Sequence, residues 1–428
     1  MSDDYDLPRP RNPRVLFLAA GCGLLAGLAM VLFRLTVGFG QTLILGSGHA
    51  DHFEQLSPLG RLALASGGGL ALGILFTLLP LGMRATGVAH VLERIAWHGA
   101  RLPFANAAVQ FIGAATCLIC GHSVGREGLA IHIGASFGSL IAEHSALVLA
   151  ERQLLIACGT AGAIAAAFNT PLAGVALALE VMLGERKLPN LTPVLLAAIS
   201  ATAVSQAAFG DIAVLSPRHL ADFVPLQHVP GLLALGAGAG LVAVAFIRLL
   251  LRTSALSAAL PVLPRLTLGG VLCGLIGMLC PQVMGLGYHT LLDVINGEYA
   301  AAAMALMLLA KLLATALGLG CGLPGGLIGP SLLLGALVGG IGGQLLPGAL
   351  PGLYAVIGMG ATMGATLNAP LAALTALLEI VRDPRIILPA MLAIAAADVI
   401  SHRLFGLPSA FICLLRARGI DYPPPGRG

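Results

Sequence analysis

Residues 120–135 read CGHSVGREGLAIHIGA and place Arg126 and Glu127 between two glycines, with hydrophobic segments on both sides. An ionisable pair at membrane depth is costly and marks a functional site by default. Two incompatible chemistries fit this stretch. Residues 125–128 (GREG) fit the glycine-rich start of a helix whose free backbone N–H groups face an anion. Residues 121–125 (GHSVG) instead match the G-x-S-x-G elbow of a serine hydrolase.

The composition indicates a membrane protein with several crossings. Of the 428 residues, 57% are hydrophobic and only 10% are charged, whereas soluble domains carry roughly 25% charged residues. Residues 312–378 contain no Asp, Glu, Lys, Arg or His, which leaves space for three crossings of about 20 residues each. Glycine and proline interrupt this run repeatedly. Broken helices at membrane depth occur where they are buried in protein or line a cavity, which indicates a transporter or channel.

The charged residues constrain partners and orientation. A net charge of +4 without a basic run gives no reason to expect a nucleic-acid partner. Cys117 and Cys120 form a C-x-x-C pair, but no second pair completes a metal site, so we expect buried small side chains and no cofactor. Basic residues cluster at both ends, which predicts cytoplasmic termini and a multi-pass protein of the plasma (inner) membrane. These residues are Arg9, Arg11, Arg14, Arg416, Arg418 and Arg427.

The chain contains an internal repeat. Corresponding segments interrupted by Gly and Pro in two halves of a transporter point to a binding site at the repeat interface. Counting apolar segments leaves open whether the halves are parallel or inverted. Three blocks recur in one order: residues 120–135 with 321–336 at an offset of 201, 168–180 with 367–379 at 199, and 193–210 with 389–406 at 196.

The repeat divides the chain into two halves joined by a polar connector. We expect no further soluble domain at either end. The predicted divisions are a cytoplasmic leader at 1–14, a first half at 15–210, a connector at 211–230, a second half at 231–416 and a cytoplasmic tail at 417–428.

The residues themselves favour an anion site. Moving an anion into hydrocarbon costs on the order of tens of kcal/mol unless donors replace its water. Helix N-termini supply about half a charge each together with free N–H groups, and equivalent glycine-led starts occur at 125–128 and 325–330. The Glu127 carboxylate would compete with the permeant anion for these donors and release them when protonated. The alternative is a structural Glu127 paired with Arg126, although adjacent helix residues point apart.

The hydrolase interpretation lacks support elsewhere in the chain. A nucleophile elbow lies between a strand and a helix of a soluble sheet. Here the equivalent segment of the repeat, residues 322–326, reads GLPGG and has no serine. We therefore expect His122 and Ser123 to be packed or helix-capping residues, and the protein not to be an enzyme.

These residues resemble the CLC family of chloride channels and chloride/proton antiporters, in its bacterial form without CBS domains. The resemblance runs from about residue 15 to 415 with its motifs in the family's order. The G-[KR]-E-G-P motif stands at 125–129 (GREGL), G-x-F-x-P at 326–330 (GLIGP), F-N-x-P-L-A-G at 168–174, and a weaker G-S-G-I-P at 85–89 (ATGVA).

The resemblance implies an all-α polytopic fold, an inverted repeat of about 18 tilted or partial helices, and a homodimer with one pore per subunit. It makes Glu127 the external gate and proton carrier. By the same resemblance, Thr86, with Gly87 beside it, takes the place of the family's serine, whose hydroxyl binds the central anion. The implied anion-binding backbone amides are those of Leu327 and Ile328, joined by those around Arg126, Gly128 and Gly326.

Three departures from the family pattern bear on specificity. Thr86 keeps a hydroxyl, so chloride or bromide is expected and fluoride is not. The family's central tyrosine would fall near Pro384, where no Tyr is present, which leaves the preference between chloride and nitrate open. Glu180 is followed by Val181, the residue type of the family's channels, where exchangers usually carry an internal proton glutamate.

The sequence therefore predicts exchange of chloride for protons through Glu127. The alternative of the same fold is a passive chloride channel gated by voltage or protons. A more distant class is an inverted-repeat transporter for a cation or an organic substrate, which would need further acids along a path. We expect His132 to be packed, and Glu180 and Glu379 to be structural. Lys311 would either add positive potential to the pore or snorkel to a helix end.

Overall fold

The computed structural model describes residues 13–46, 51–184, 191–211, 228–346, 350–420 and 422. Most of the predicted leader (1–14) and connector (211–230), and the end of the tail (417–428), lie outside these residues. The described chain is helical and contains seventeen α-helices, close to the 18 expected. The prediction of an all-α membrane fold is confirmed.

The helices of the two halves correspond in order. The first half contains α1 Arg14–Leu45, α2 Pro58–Leu78, α3 Gly87–Trp97, α4 Phe104–Ile119, α5 Glu127–His144, α6 Leu149–Phe168, α7 Pro171–Leu177 and α8 Thr192–Phe209. The second half contains α9 Val229–Ser257, α10 Val262–Leu279, α11 Tyr288–Ile295, α12 Ala301–Gly320, α13 Ile328–Leu345, α14 Pro351–Leu367, α15 Pro370–Val381, α16 Ile387–Asp398 and a final α17 Ala410–Ala417. Wider π-helical turns extend α7 to Leu183 and α16 to Leu404.

Within the described residues, eight helical segments are long and apolar enough to cross a membrane. They comprise α1, α2, α8, α9, α10, α12, α13 and the segment Pro384–Leu404 that contains α16. Others, such as α4, α7 and α15, are apolar but short, so they reach only part of the way or lie within the protein. The chain is a multi-pass membrane protein built from both complete and partial helices.

Glycine contacts show that both halves pack in the same way. A Cβ atom on Gly134 of α5 would lie 2.2 Å from the carbonyl oxygen of Gly159 on α6. At the equivalent place in the second half, a Cβ atom on Gly335 would lie 2.1 Å from the carbonyl oxygen of Gly358. Small residues let membrane helices approach this closely. The repeat seen in sequence is therefore also a repeat in helix packing.

The turn before each short helix is duplicated as well. Asn169 ends α6 with a left-handed φ of +55°, and Asn368 ends α14 with φ of +54°. Asparagine tolerates this conformation at a helix C-terminus. A proline, Pro171 or Pro370, then occupies the first turn of the next helix, where its missing N–H removes no hydrogen bond.

Candidate functional site

The two glycine-led turns meet. Gly125 and Gly326 form an antiparallel bridge in which the Gly125 N–H donates to the Gly326 carbonyl at 2.8 Å and the Gly326 N–H donates back at 2.7 Å. Helix α5 begins two residues after Gly125, and α13 begins two residues after Gly326. The N-termini of one helix from each half therefore converge on one place, and their partial positive charges add.

The Glu127 carboxylate occupies this place. Glu127 is 1% exposed, and its Oε1 accepts a hydrogen bond of 2.8 Å from the backbone N–H of Gly329. The backbone amides of Ile328 and of Glu127 itself favour the ionised carboxylate electrostatically. Its Oε2 has no donor among the described residues. The first turn of α13 thus holds an acidic side chain that is supplied by the other half of the chain.

Three glycines make room for this carboxylate. A Cβ atom on Gly125 would lie 1.9 Å from Oε2 of Glu127, and one on Gly326 would lie 2.2 Å from the same oxygen. A Cβ atom on Gly329 would lie 2.9 Å from Oε1. We call the space between Gly125, Gly326 and Gly329 the carboxylate seat. Any side chain at these positions would intrude on it.

Gly128 and Leu327 belong to the frame of the seat. A Cβ atom on Gly128 would lie 2.3 Å from the backbone oxygen of Gly325, so Gly128 permits the close approach of the two turns. Leu327 is buried and directly precedes α13. Sequence reasoning named the amides of Leu327 and Ile328 but missed that of Gly329, the residue that donates the hydrogen bond to Glu127.

Arg126 points to aromatic rings and not to its neighbour. Its guanidinium carbon lies 4.7 Å from the ring centre of Phe168 and 5.3 Å from that of Tyr288. These are cation–π distances. Among the described residues it makes no ion pair with Glu127. The structural pairing of Arg126 with Glu127 considered above is wrong, which leaves the carboxylate bound by backbone amides.

Lys311 supports the segment that leads to Tyr288. It is fully buried, and its Nζ donates to the carbonyl oxygens of Val283 at 3.0 Å and Gly285 at 3.2 Å. Asp51 accepts a hydrogen bond of 3.3 Å from the N–H of Gly287, one residue before Tyr288. The snorkelling interpretation of Lys311 is wrong. The lysine instead helps to position the ring beside Arg126.

Thr86 and Gly87 lie at the start of a third helix. Thr86 is half-buried and immediately precedes α3, but its side chain does not cap that helix. Gly87 has a φ of +81°, a conformation that favours glycine. The preceding turn is held by Asn106, whose Nδ2 donates to the Ala85 carbonyl at 2.9 Å, and α3 packs on α5. The Thr86 side chain thus caps no helix, and within the described chain no hydrogen bond joins it to Glu127.

Glu180 and Glu379 form a reciprocal pair of helix caps. Glu180, just after α7, accepts hydrogen bonds from the N–H groups of Leu371 (3.0 Å) and Ala372 (2.7 Å) at the start of α15. Glu379 of α15 accepts from the N–H groups of Leu172 (2.9 Å) and Ala173 (2.8 Å) at the start of α7. Both carboxylates satisfy helix-terminal donors, in agreement with the structural role expected for them.

The motif that resembled a hydrolase elbow does not assemble a nucleophile. The Ser123 hydroxyl lies 2.8 Å from the Thr315 hydroxyl, and His122 Nε2 lies 2.9 Å from the Ala65 carbonyl. Both side chains are therefore buried packing residues. His132, also buried, has its Nε2 3.3 Å from Nδ1 of His90 on α3. It is packed as expected, though the sequence did not reveal its partner.

Pro384 does not line the buried site. It lies in an exposed turn between α15 and α16, where the side chain of neighbouring Arg385 pairs with Asp383. The position near Pro384 that the resemblance assigned to the family's central tyrosine, where this chain has no Tyr, therefore does not face this site. Val181 lies in the π-helical turn after α7 and is half-buried.

Comparisons with known proteins agree with this architecture. Residues 68–402 match the family model described as voltage gated chloride channel. A putative chloride channel protein ClcB-like of Ralstonia nicotianae is 32% identical over 305 residues, which cover 69% of this chain and 71% of the relative. The voltage-gated ClC-type chloride channel ClcB of Shigella boydii is 29% identical over 309 residues, covering 70% and 72%.

Two solved structures share the fold. A slow cyanobacterial Cl⁻/H⁺ antiporter superposes with a TM-score of 0.82 at 26% identity and covers 95% of this chain and 98% of its own. A CLC-type fluoride/proton antiporter superposes with a TM-score of 0.79 at 22% identity, covering 94% and 97%. The CLC-type inverted repeat expected from the sequence is confirmed, and the chain belongs to the voltage gated chloride channel (CLC) family.

Proposed function

We propose that this protein exchanges chloride for protons across the plasma membrane, with Glu127 as external gate and proton carrier. The observation that carries the proposal is the hydrogen bond from the Gly329 amide to the Glu127 carboxylate, at the convergence of two helix N-termini. Such N-termini bind anions in general. A carboxylate that occupies the seat is chemically a tethered substitute for the transported ion.

The exchange follows from competition for the seat. While Glu127 is ionised, it takes the amide donors and blocks a free anion. When the carboxyl group binds a proton it loses its charge, the donors favour chloride, and the side chain leaves with its proton. Because one group must alternate between proton and seat, movement of the anion is coupled to movement of the proton. Backbone donors with partial charges bind the anion without holding it too tightly to leave.

Other features complete the proposal. Thr86 supplies a hydroxyl at the start of α3, together with the turn at Gly87, for chloride or bromide on the inner side of the seat. Nitrate is a further candidate substrate. The protein would act as a homodimer in the lipid bilayer with both termini in the cytoplasm, and it would need no cofactor. Antiport agrees with the named activity of the cyanobacterial structure, a Cl⁻/H⁺ antiporter.

A passive chloride channel of the same fold is the second candidate. The observation that favours it is Val181, an aliphatic residue directly after Glu180, whose own carboxylate is occupied with capping α15. The names of the ClcB relatives, which call them channels, point the same way. Both candidates use the same anion seat and differ only in whether protons move.

Reconstituted liposomes separate the two candidates. Vesicles loaded with chloride are diluted into low chloride, and external pH and chloride are followed together. For wild type we expect chloride efflux to drive proton uptake into the vesicles against a proton gradient. In Glu127→Gln, proton uptake should fall to background while chloride efflux persists. Glu180→Gln is the control, because it removes a carboxylate that binds only helix amides.

The outcomes are distinct. Chloride efflux without proton movement in wild type would replace the exchanger with the channel. Proton uptake that survives in Glu127→Gln, or that disappears in Glu180→Gln alone, would reject Glu127 as the carrier. Absence of any anion flux in folded wild-type protein would reject both candidates.

A further inference from the structure

A cavity with a partly polar lining lies at the opposite end of α3 from Thr86. Its volume is about 410 Å³, and it lies between the C-terminal end of α3 and the connection from α5 to α6. The space is open to the surface and large enough for a small polar group with its water. The residues that line it are His98, Gly99, Arg101, Leu147, Leu149 and Arg152.

The lining is basic. Arg101 is exposed. Arg152 uses its Nε to donate to the Leu147 carbonyl at 3.0 Å, which anchors the side chain and leaves its two terminal nitrogens for a ligand. Arg94 donates to the Arg101 carbonyl at 2.7 Å and so orders the segment that carries Arg101. The anchored guanidinium group of Arg152 and the exposed one of Arg101 can both donate to phosphate oxygens.

Two acids near the cavity are already engaged. Glu93 lies 3.6 Å from His98 and also interacts electrostatically with Arg418. Glu151 accepts a hydrogen bond of 3.4 Å from the Val148 N–H at the start of α6. Neither neutralises both arginines of the lining, and the N-terminus of α6 adds further positive potential. The cavity therefore favours an anion.

Its surroundings place it at a membrane interface. Trp97, Val148 and Leu149 beside the cavity are 58%, 59% and 52% exposed. Tryptophan is enriched where membrane meets water. Helix α17 packs on α3, which puts the cavity on the same side as the arginine-rich C-terminus, the side that the positive-inside tendency assigns to the cytoplasm.

We propose that this cavity binds the phosphate headgroup of an anionic phospholipid from the cytoplasmic leaflet. Arg101 and Arg152 contact the phosphate oxygens, and the acyl chains lie against Trp97, Val148 and Leu149. A phospholipid headgroup and a soluble phosphate compound would both present anionic phosphate oxygens to these arginines. The apolar side chains at the rim favour the lipid over a soluble phosphate compound. A lipid in this cavity is compatible with either an exchanger or a channel.

Lipid retention by the purified full-length protein tests the proposal. Protein in neutral detergent is titrated with phosphatidylglycerol or phosphatidylcholine, and bound lipid is counted by native mass spectrometry. Each arginine near an anionic headgroup contributes about fivefold in affinity, so Arg101→Gln with Arg152→Gln should weaken phosphatidylglycerol binding roughly 25-fold. Arg416→Gln is the matched control, since Arg416 is an exposed arginine on the same side that does not line the cavity.

The competition arm identifies the source of the phosphate. Retention of phosphatidylglycerol over phosphatidylcholine, lost in the double variant and resistant to millimolar inorganic phosphate, supports the lipid. Displacement by inorganic phosphate alone would support the phosphate cavity and overturn the lipid as its occupant. Equal phosphatidylglycerol binding by wild type and the double variant, or equal loss in Arg416→Gln, would overturn the site. Matching thermal unfolding curves of the variants confirm that each is folded.

Discussion

Two pairs of equivalent helices use carboxylates differently. At α7 and α15 each half contributes one glutamate, and each glutamate caps the start of the other half's helix. At α5 and α13 only the first half contributes one, Glu127, and its equivalent in the second half is Ile328. The symmetric pair satisfies all its partners. The asymmetric one leaves Oε2 of Glu127 without a hydrogen-bond donor in the part of the chain that the structure describes.

The difference separates architecture from activity. Glu180 and Glu379 bind equivalent backbone groups in opposite halves and so join the two halves as a shared fastener. Loss of either carboxylate would leave helix-terminal N–H groups of the other half without an acceptor. Glu127 is present in one half only. Its carboxylate accepts from the backbone N–H of Gly329, which belongs to the other half. In a repeat protein, function is therefore to be sought where the two halves stop matching.

The largest effect is expected from Gly128→Ala. The added methyl would lie 2.3 Å from the backbone oxygen of Gly325, and a backbone atom cannot move aside without breaking the Gly125–Gly326 bridge. We expect the free energy of unfolding to fall by about 3 kcal/mol or more, at the upper end of the range for overpacking. Thermal unfolding of the purified protein measures this change.

Gly125→Ala provides the contrast. Its methyl would meet the far end of the Glu127 side chain, at 1.9 Å from Oε2, so the carboxylate can be expelled while the fold persists. We expect chloride flux to rise and proton coupling to fall, with a smaller change in unfolding temperature than in Gly128→Ala. Combined with Glu127→Ala, the same substitution should add nothing. Equal destabilisation by Gly125→Ala and Gly128→Ala would contradict this contrast, because it would mean that the Glu127 side chain cannot move out of the way of the Gly125→Ala methyl group.

The symmetric pair should show symmetric energetics. Glu180→Gln and Glu379→Gln each replace one charged acceptor oxygen, and each should lower the free energy of unfolding by about 1 kcal/mol. This is below the range of about 1.5–3 kcal/mol for charged hydrogen bonds, since the contacts are partly open to solvent. The double variant measures their coupling. Glu143→Gln, at an exposed glutamate of α5, should change stability by less than about 0.5 kcal/mol.

Unequal losses in the two single variants would contradict the picture of a shared fastener. So would a loss of proton coupling in either one with the fold intact, since that would give a structural carboxylate a role in transport.

The smallest effect is expected at an exposed ion pair that joins the halves. Asp211, after α8, accepts from Arg382 Nη1 at 3.2 Å and from Asn169 Nδ2 at 2.8 Å. The hydrogen bond from Arg382, and to a lesser extent the one from Asn169, holds the pKa of Asp211 below its usual range. Because the folded-state pKa is lowered, the stabilisation is present above the ordinary carboxyl pKa and is lost as pH falls through the lower folded-state value.

Unfolding temperatures between pH 7 and pH 3 measure this pair. Wild type should exceed Asp211→Asn slightly at neutral pH, and the difference should shrink as pH falls below the ordinary carboxyl pKa. Arg382→Gln should behave alike, and the double variant should add little. A difference that persists unchanged at pH 3 would mean that the aspartate acts through shape and not through charge.

Much of this arrangement could be predicted from the sequence because it is carried by local patterns. Glycine-led helix starts, an acid in an apolar run and a repeat at constant offset are all visible along the chain, and they locate the meeting of Gly125 with Gly326. The aromatic partners of Arg126 could not be predicted, because Phe168 and Tyr288 reach it from distant helices. The reciprocal capping by Glu180 and Glu379 was equally hidden, since it depends on how α7 and α15 lie side by side.

The alignment of the family's central tyrosine with Pro384 has a different difficulty. The repeat blocks flank the turn at 383–386 on both sides, but this exposed turn has no partner in them. Where a segment lacks such an internal reference, register cannot be judged from spacing. Gly329 was missed for a simpler reason, namely that a backbone donor has no signature in the amino-acid alphabet.

A binding surface made from the main chain has a consequence for how the protein can diverge. Point substitutions replace side chains and leave peptide N–H groups in position, so the donors around Gly329 are inherited almost unchanged by any descendant that folds. Under the proposed exchange, changes in what drives the ion must then accumulate at the side chains that face those donors, and Glu127 is one of them.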